Sequence, residues 1–257
     1  MMRRAAALML VFLAACGTPR PAPQVPIGPM VIGDSAPVRF AGRQPTSFAV
    51  RGMDAARFQQ YVDWPRARAV GIEFVFLKAT EGGDLLDPKF RDHWRDAARA
   101  GIARGAYHFY YFCTAPEVQA RWFIRNVPRT RGSLPPVLDM EWNPFSPTCQ
   151  RRPDGATVRA EMKRWLDIVT VHYGQRPVIY TTPGFYKDAG LNRLNGYEFW
   201  LRTTAKTPAQ AYPGQPWRFW QYTATGTLPG TPGAIDINAF NGSATDWANW
   251  KAERTIR

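Results

Sequence analysis

The chain has 257 residues, 45% hydrophobic, 14% aromatic and 21% charged, which is long and apolar enough for one substantial domain with a full core. Its 33 Lys and Arg against 20 Asp and Glu give a formal charge of +13, a balance that favours polyanionic partners through long-range attraction. There is no contiguous Lys/Arg run, no internal repeat and no second composition shift, so a repeat array and a nucleic-acid-binding tail are not expected.

The N-terminus reads as an export signal. Met-Met-Arg-Arg precedes an apolar run from Ala5 to Ala15 that is too short to span a bilayer and gives way to Pro-rich sequence. Leu13-Ala14-Ala15-Cys16-Gly17 resembles the bacterial lipobox, in which cleavage leaves the cysteine as the new N-terminus carrying acyl chains. Residues 1–15 are then a signal peptide, and lipid on Cys16 would hold the protein on an envelope membrane facing the periplasm or cell wall. The alternative is an ordinary secreted protein with an incidental cysteine. Residues 16–46 read as a tether, with seven prolines between Gly17 and Thr46, and residues 47–257 as the folded domain. Loss of Arg3 and Arg4 with the signal leaves 13 − 2 = +11.

Eight extended runs follow, at 48–54, 72–78, 104–110, 136–142, 177–182, 197–201, 217–222 and 234–238. Between them the sequence predicts helices. Asp87-Pro88 supplies an N-cap and a first-turn proline ahead of Phe90, Trp94, Ala97 and Ala98. A second helix covers 115–127, with Val118, Trp122 and Phe123 on one face. A third runs from Asp154 to Tyr173 with Val158, Met162, Trp165, Leu166 and Val169 inward, and stops at Gly174. Connections after Thr182 are Gly/Pro-rich and too short for regular helices. Strands alternating with helices predict an α/β fold, an irregular (β/α) barrel with eight strands and fewer helices than an ideal one. Cys113 and Cys149 each follow a strand-like run, so their loops can meet at one end of neighbouring strands as a disulfide, or remain two thiols.

The chemistry centres on Leu134-Pro-Pro-Val-Leu-Asp-Met-Glu-Trp142. Strand alternation puts Val137, Asp139 and Glu141 on one face, and Leu138, Met140 and Trp142 on the other. Two carboxylates this close raise each other's pKa, giving the acid and base that glycoside hydrolysis needs; the bland alternative is an exposed hairpin strand with two solvated acids. Asp54, Lys78, His108, Thr181, Thr182, Gln221, Asp236 and Asn238 also fall toward the C-terminal ends of their runs, the rim where barrels build active sites.

These segments together resemble the glycoside hydrolase family 25 lysozymes. The resemblance is carried by Arg51-Gly-Met-Asp54, Val62-Asp-Trp64, Lys78-Ala-Thr-Glu-Gly82, Gly105-Ala-Tyr-His-Phe109, Leu134 to Trp142, Ile179-Tyr-Thr-Thr182, Phe219-Trp-Gln-Tyr222 and Ile235-Asp-Ile-Asn238, in family order from about Ser47 to Trp247. It implies hydrolysis of the β-1,4 bond between N-acetylmuramic acid and N-acetylglucosamine in peptidoglycan, without a cofactor; a monomer is the default expectation. By position Glu141 matches the general acid and Asp139 its partner, while Asp54 and Asp236 match two further acids of the groove. Tyr107, Tyr180 and Gln221 match groove positions, and Lys78 is carried over as a substrate-binding residue. Two departures stand out: Ala55-Ala56 replaces the usual Val-Ser, and Leu201-Arg202 replaces small and aromatic residues, Arg202 being either a surface residue or a positive charge at the groove rim that favours acidic muramyl peptides.

Other chemistries find little support. His93, His108 and His172 are scattered without metal-ligand spacing, with His93 and His172 expected as surface or packing residues and His108 as a hydrogen-bonded core residue. There is no nucleophile elbow, and Glu81-Gly82-Gly83 reads as a turn. The rival class is a non-hydrolytic wall-binding lipoprotein, which would have no need of four clustered carboxylates.

Overall fold

The computed structural model describes residues 31–257; the signal-like segment 1–15, Cys16 and the tether as far as residue 30 lie outside the described residues. Each of the eight extended runs is a strand: β2 (Arg51–Ala55), β3 (Ile72–Glu81), β5 (Ala103–Phe109), β6 (Val137–Met140), β7 (Val178–Thr181), β8 (Phe199–Arg202), β9 (Phe219–Leu228) and β10 (Thr231–Phe240). Two short strands, β1 (Gly33–Asp34) and β4 (Leu85–Leu86), add to the edges of β9 and β3. Parallel pairing runs from β2 through β3, β5, β6, β7 and β8 to β9. β10 then lies antiparallel between β9 and β2 and closes the ring. The result is the expected irregular eight-stranded α/β barrel.

Closure sorts every strand's side chains into two layers. Inward-facing Val50, Phe74, Phe76, Val137, Val178, Trp200, Phe219 and Phe240 form one buried cluster. Outward-facing Met53, Val75, Leu77, Leu138, Met140, Ile179 and Leu201 join a larger cluster under the helices. The alternation read in residues 137–142 therefore holds, with Val137 inside the barrel and Leu138 and Met140 outside it. Helix α7 (Ala244–Arg254) plugs the bottom: Trp247 and Trp250 stack at 5.5 Å, and Trp247 meets Phe74 at 5.4 Å. Among the described residues, aromatic rings fill the lower end of the barrel and the cleft opens at its upper rim.

The remaining helices are α1 (Trp64–Ala69), α2 (Phe90–Arg99), α3 (Pro116–Asn126), α4 (Gly155–Tyr173), α5 (Pro183–Ala189) and α6 (Pro208–Ala211). α4 matches the expected boundaries and buried stripe, capped by the Asp154 carboxylate on Ala156 N and Thr157 N and ended by Gly174 at φ 70°. In α2 the cap differs from expectation. Lys89 is the N-cap residue, and the Asp87 carboxylate accepts from Lys89 N at 2.9 Å and from Arg57 N at 2.8 Å, joining the preceding turn to the loop after β2. In α3 the buried stripe is Gln119, Ala120 and Phe123, while Val118 is exposed, because Gln119 is drawn inward by polar partners rather than by hydropathy. After Thr182, where no regular helix is expected, α5 and α6 are helices of seven and four residues.

The described end of the tether is packed on the barrel. Gly33 pairs with Thr227, Phe40 is buried with its ring 4.9 Å from that of Trp220, and Phe48 meets Trp217. An apolar residue that covers a tryptophan on a strand's outer face is held by burial, so packed chain begins well before Ser47. Cys113, after β5, is bonded to Cys149, after β6, with Cα atoms 5.7 Å apart. β5 and β6 are neighbours in the sheet, so the two loops emerge at the same end of adjacent strands, as expected.

Gly52 shows how tightly the interior is filled. A Cβ there would stand 2.4 Å from the Phe74 ring, which occupies the space a side chain would take. Gly52→Ala is expected to destabilise the protein by about 1–3 kcal/mol through overpacking. Urea unfolding measures it, and an unchanged midpoint would show that Phe74 can yield without cost.

Candidate active site

At the open rim, the inward-facing rows end in polar side chains around a cleft of about 410 Å³. Asp54, Lys78, Tyr107, Asp139, Glu141, Tyr180, Gln221 and Asp236, all expected from sequence as site residues, line this one cleft. Asp236 reaches it by a route the sequence does not show. As an apparent strand end it suggests a parallel strand with a C-terminal acid, but β10 is antiparallel and Asp236 lies near its middle, the sixth of its ten residues, directly paired with Asp54.

A polar chain orients Asp54. Its Oδ1 accepts from Gln221 Nε2 at 2.9 Å and from Asn238 Nδ2 at 2.8 Å. The two amides are fixed in turn, because Tyr180 OH donates to Gln221 Oε1 at 2.9 Å and Trp200 Nε1 donates to Asn238 Oδ1 at 2.7 Å. Burial, and then the facing Asp236 carboxylate, hold Asp54 well above the usual carboxylate range, against the two amide donors. Burial raises Asp236 to about 6, opposed by the Arg202 guanidinium.

Asp139 and Glu141 project from β6 and from the residue just beyond it. Asp139 is 6% exposed, and its Oδ1 is buried with no hydrogen-bond partner among the described residues. Burial and then Glu141 raise Asp139; burial also raises Glu141, opposed by Arg202 and Lys78. Raised in this way, the pair favours keeping a proton that it can donate. Lys78 forms a close ion pair with Glu81, whose other oxygen accepts from Tyr111 OH at 2.5 Å, and its ammonium lies 4.8 Å from the centre of the Phe109 ring.

Of the two readings of Arg202, the rim one holds: strand alternation on β8 turns it inward beside Trp200 and in register with Gln221, and it lines the cleft. Phe58, Gln59, Phe109 and Trp200 also line it. Gln59 and Phe58 come from the loop after β2, for which no strand period predicts a direction; Trp200, two residues before Arg202, could have been found from the alternation. Among residues expected at the rim, Thr181 and His108 face outward instead. His108 is fully buried between Thr80 Oγ1 at 2.8 Å and Gln119 Oε1 at 3.0 Å and stacks on Trp165, and burial lowers it to about 4, so it is a neutral core residue. His93 is likewise buried, its Nε2 2.9 Å from Gln59 O, and His172 is exposed on α4.

Comparison with known proteins agrees with this geometry. The family described as Glycosyl hydrolases family 25 matches residues 53–231, a span that holds every cleft residue named above except Asp236. YegX of Escherichia coli strain K12 is 33% identical over 213 residues, which cover 80% of this chain and 75% of that protein. Lysozyme M1 of Streptomyces globisporus is 33% identical over 228 residues, 83% of this chain and 74% of that one. The structure of a family 25 glycosyl hydrolase from Bacillus anthracis aligns with a TM-score of 0.73 at 32% identity, over 79% of this chain and 93% of its own. With the fold, the family match and these relatives in accord, the chain belongs to family 25 of the glycosyl hydrolases and is a glycoside hydrolase.

Proposed function

We propose that this enzyme hydrolyses the β-1,4 bond between N-acetylmuramic acid and N-acetylglucosamine in peptidoglycan, with Glu141 as general acid. The observation that carries the reading is the pair of buried Asp139 and half-buried Glu141, both lining one open cleft. Relatives named Lysozyme M1 and N,O-diacetylmuramidase support the choice of substrate.

In this reading Glu141 gives its proton to the leaving glycosidic oxygen while the substrate's acetamido oxygen attacks the anomeric carbon. The Asp139 carboxylate, which lines the cleft, accepts the acetamido N–H. That bond favours the ionised form of Asp139 and leaves the pair's proton on Glu141, where the leaving group needs it. Ionised Asp139 then stabilises the cyclic cation that forms. Water, deprotonated by the Glu141 carboxylate, attacks the same carbon from the face the leaving group left, so two displacements give net retention. Asp54 and Asp236 orient the sugar from the opposite wall, and Tyr107, Tyr180, Gln221 and Lys78 bind it. We place the enzyme in the bacterial envelope, anchored by lipid on Cys16; Cys16→Ser is expected to move it from the membrane fraction to the soluble one, and continued membrane association would reject the anchor.

Digestion of purified peptidoglycan, with products read by mass spectrometry, is expected to release fragments with reducing-end muramic acid. Glu141→Gln should lower the rate by about 10²–10⁴-fold. Proton NMR of the first product should show the β anomer; the α anomer would reject the acetamido route, and wall binding without products from the native enzyme would reject muramidase activity.

The cleft carboxylates also set a pH dependence of stability. Asp236 has a raised folded-state value of about 6, so the stability it allows is full below its unfolded value near 3.8 and is lost as pH rises through about 6. Asp236→Asn is therefore expected to raise the melting temperature at pH 7 and to lose that advantage at pH 4. A difference that stays constant with pH would mean that Asp236 is not perturbed by its burial.

A further inference from the structure

A second hollow, of about 600 Å³, adjoins the catalytic cleft, and Phe58, Lys78, Phe109 and Glu141 line both. Asp54, Asp139 and Asp236 line the first only, so the second lies on the other side of Glu141. Two phenylalanines stand at its walls almost fully in water: Phe58 is 72% exposed and Phe145 91%. Exposed apolar residues scattered singly need no explanation, but two aromatic rings around one hollow beside an acid mark a binding surface.

The loop carrying Phe145 is held in place from several sides. The Cys113–Cys149 bond ties its far end to the loop after β5. Ser146 is 2% exposed, and its Oγ accepts from Cys149 N at 3.0 Å and Thr148 N at 3.3 Å. Asn143 Nδ2 donates to Tyr111 OH at 3.1 Å, which in turn donates to Glu81 beside Lys78. A buried serine next to a fully exposed phenylalanine on a disulfide-bonded loop means that the ring is presented to solvent by a rigid support. Preorganisation of this kind lowers the entropy cost of binding.

We propose that this hollow is a further saccharide subsite, which holds the glycan strand beyond the cleaved bond, on the side of Glu141 away from Asp54 and Asp236. The inference rests on the glycan-cleaving function proposed above. Its chemistry suits a pyranose: the flat C–H faces of the sugar rest on the Phe58 and Phe145 rings, while hydroxyls meet the polar floor of Lys78, Glu81, Tyr111 and Asn143. The disulfide thus serves the substrate as well as the fold, by fixing the position of one wall.

The test uses peptide-free peptidoglycan glycans of increasing length. For the native enzyme kcat/KM is expected to rise with length. Phe145→Ala should cost progressively more as the chain lengthens, reaching about tenfold on long strands and appearing in KM, with Phe145→Tyr restoring most of the loss. Equal loss at every length, or none, would overturn the subsite. Binding of insoluble glycan by Glu141→Gln, with and without Phe145→Ala, reads the subsite separately from cleavage. If the native enzyme cleaves no glycan, the proposed reaction fails, while weaker binding on loss of Phe145 still supports the subsite and unchanged binding overturns it.

Discussion

Asp54 and Asp236 face each other as directly paired residues on antiparallel strands β2 and β10, an arrangement of like charges that a sheet ordinarily avoids. What makes it tolerable is the pair of amide donors on Asp54 Oδ1, from Gln221 and Asn238. Each amide is locked by a second bond, from Tyr180 and Trp200, so neither can turn its carbonyl oxygen toward the carboxylate. The cluster spans β2, β7, β8, β9 and β10. Only a closed barrel brings these strands into one ring, so the electrostatics of the cleft and the closure of the fold depend on each other.

The apolar half of the barrel makes this possible. Phe74, Phe76, Phe219 and Phe240 fill the interior below the carboxylates, and Trp247 and Trp250 seal the lower end. The same burial that raises Asp54, Asp139, Glu141 and Asp236 would be prohibitive for four full charges, and Arg202 and Lys78 offset part of it from the opposite walls. The stability given up here is recovered in packed aromatic layers elsewhere, as is usual where a site departs from the rules that govern the rest of a fold.

Much of this was legible in the chain because strand alternation is a local rule. The inward placement of Val137, Asp139 and Glu141 follows from period two alone, and the buried stripe of α4 follows from period 3.6. The same rule, applied to β8, turns Arg202 inward and decides between its rim and surface readings; an arginine is ordinarily solvent-facing, and here the neighbouring carboxylates supply the compensation. Hydropathy misled where polar partners decided burial, as with Gln119, which turns inward to His108 Nε2, Tyr111 and Thr114, whereas the reading of His108 as a hydrogen-bonded core residue holds. Phe58 and Gln59 lie on a loop, where no periodicity assigns a direction.

The sequence by itself determined the eight strands, the α/β class, the family and the set of acids, since each rests on local periodicity or on motif spacing along the chain. Tertiary structure alone decided that β10 runs antiparallel, that Asp236 thereby meets Asp54, and that the end of the presumed tether lies on β9. It also decided that Phe145 stands on a pinned loop beside Glu141. These are long-range pairings, fixed by the closure of the barrel and by what each strand edge finds beside it, and no local pattern encodes which distant segment that will be.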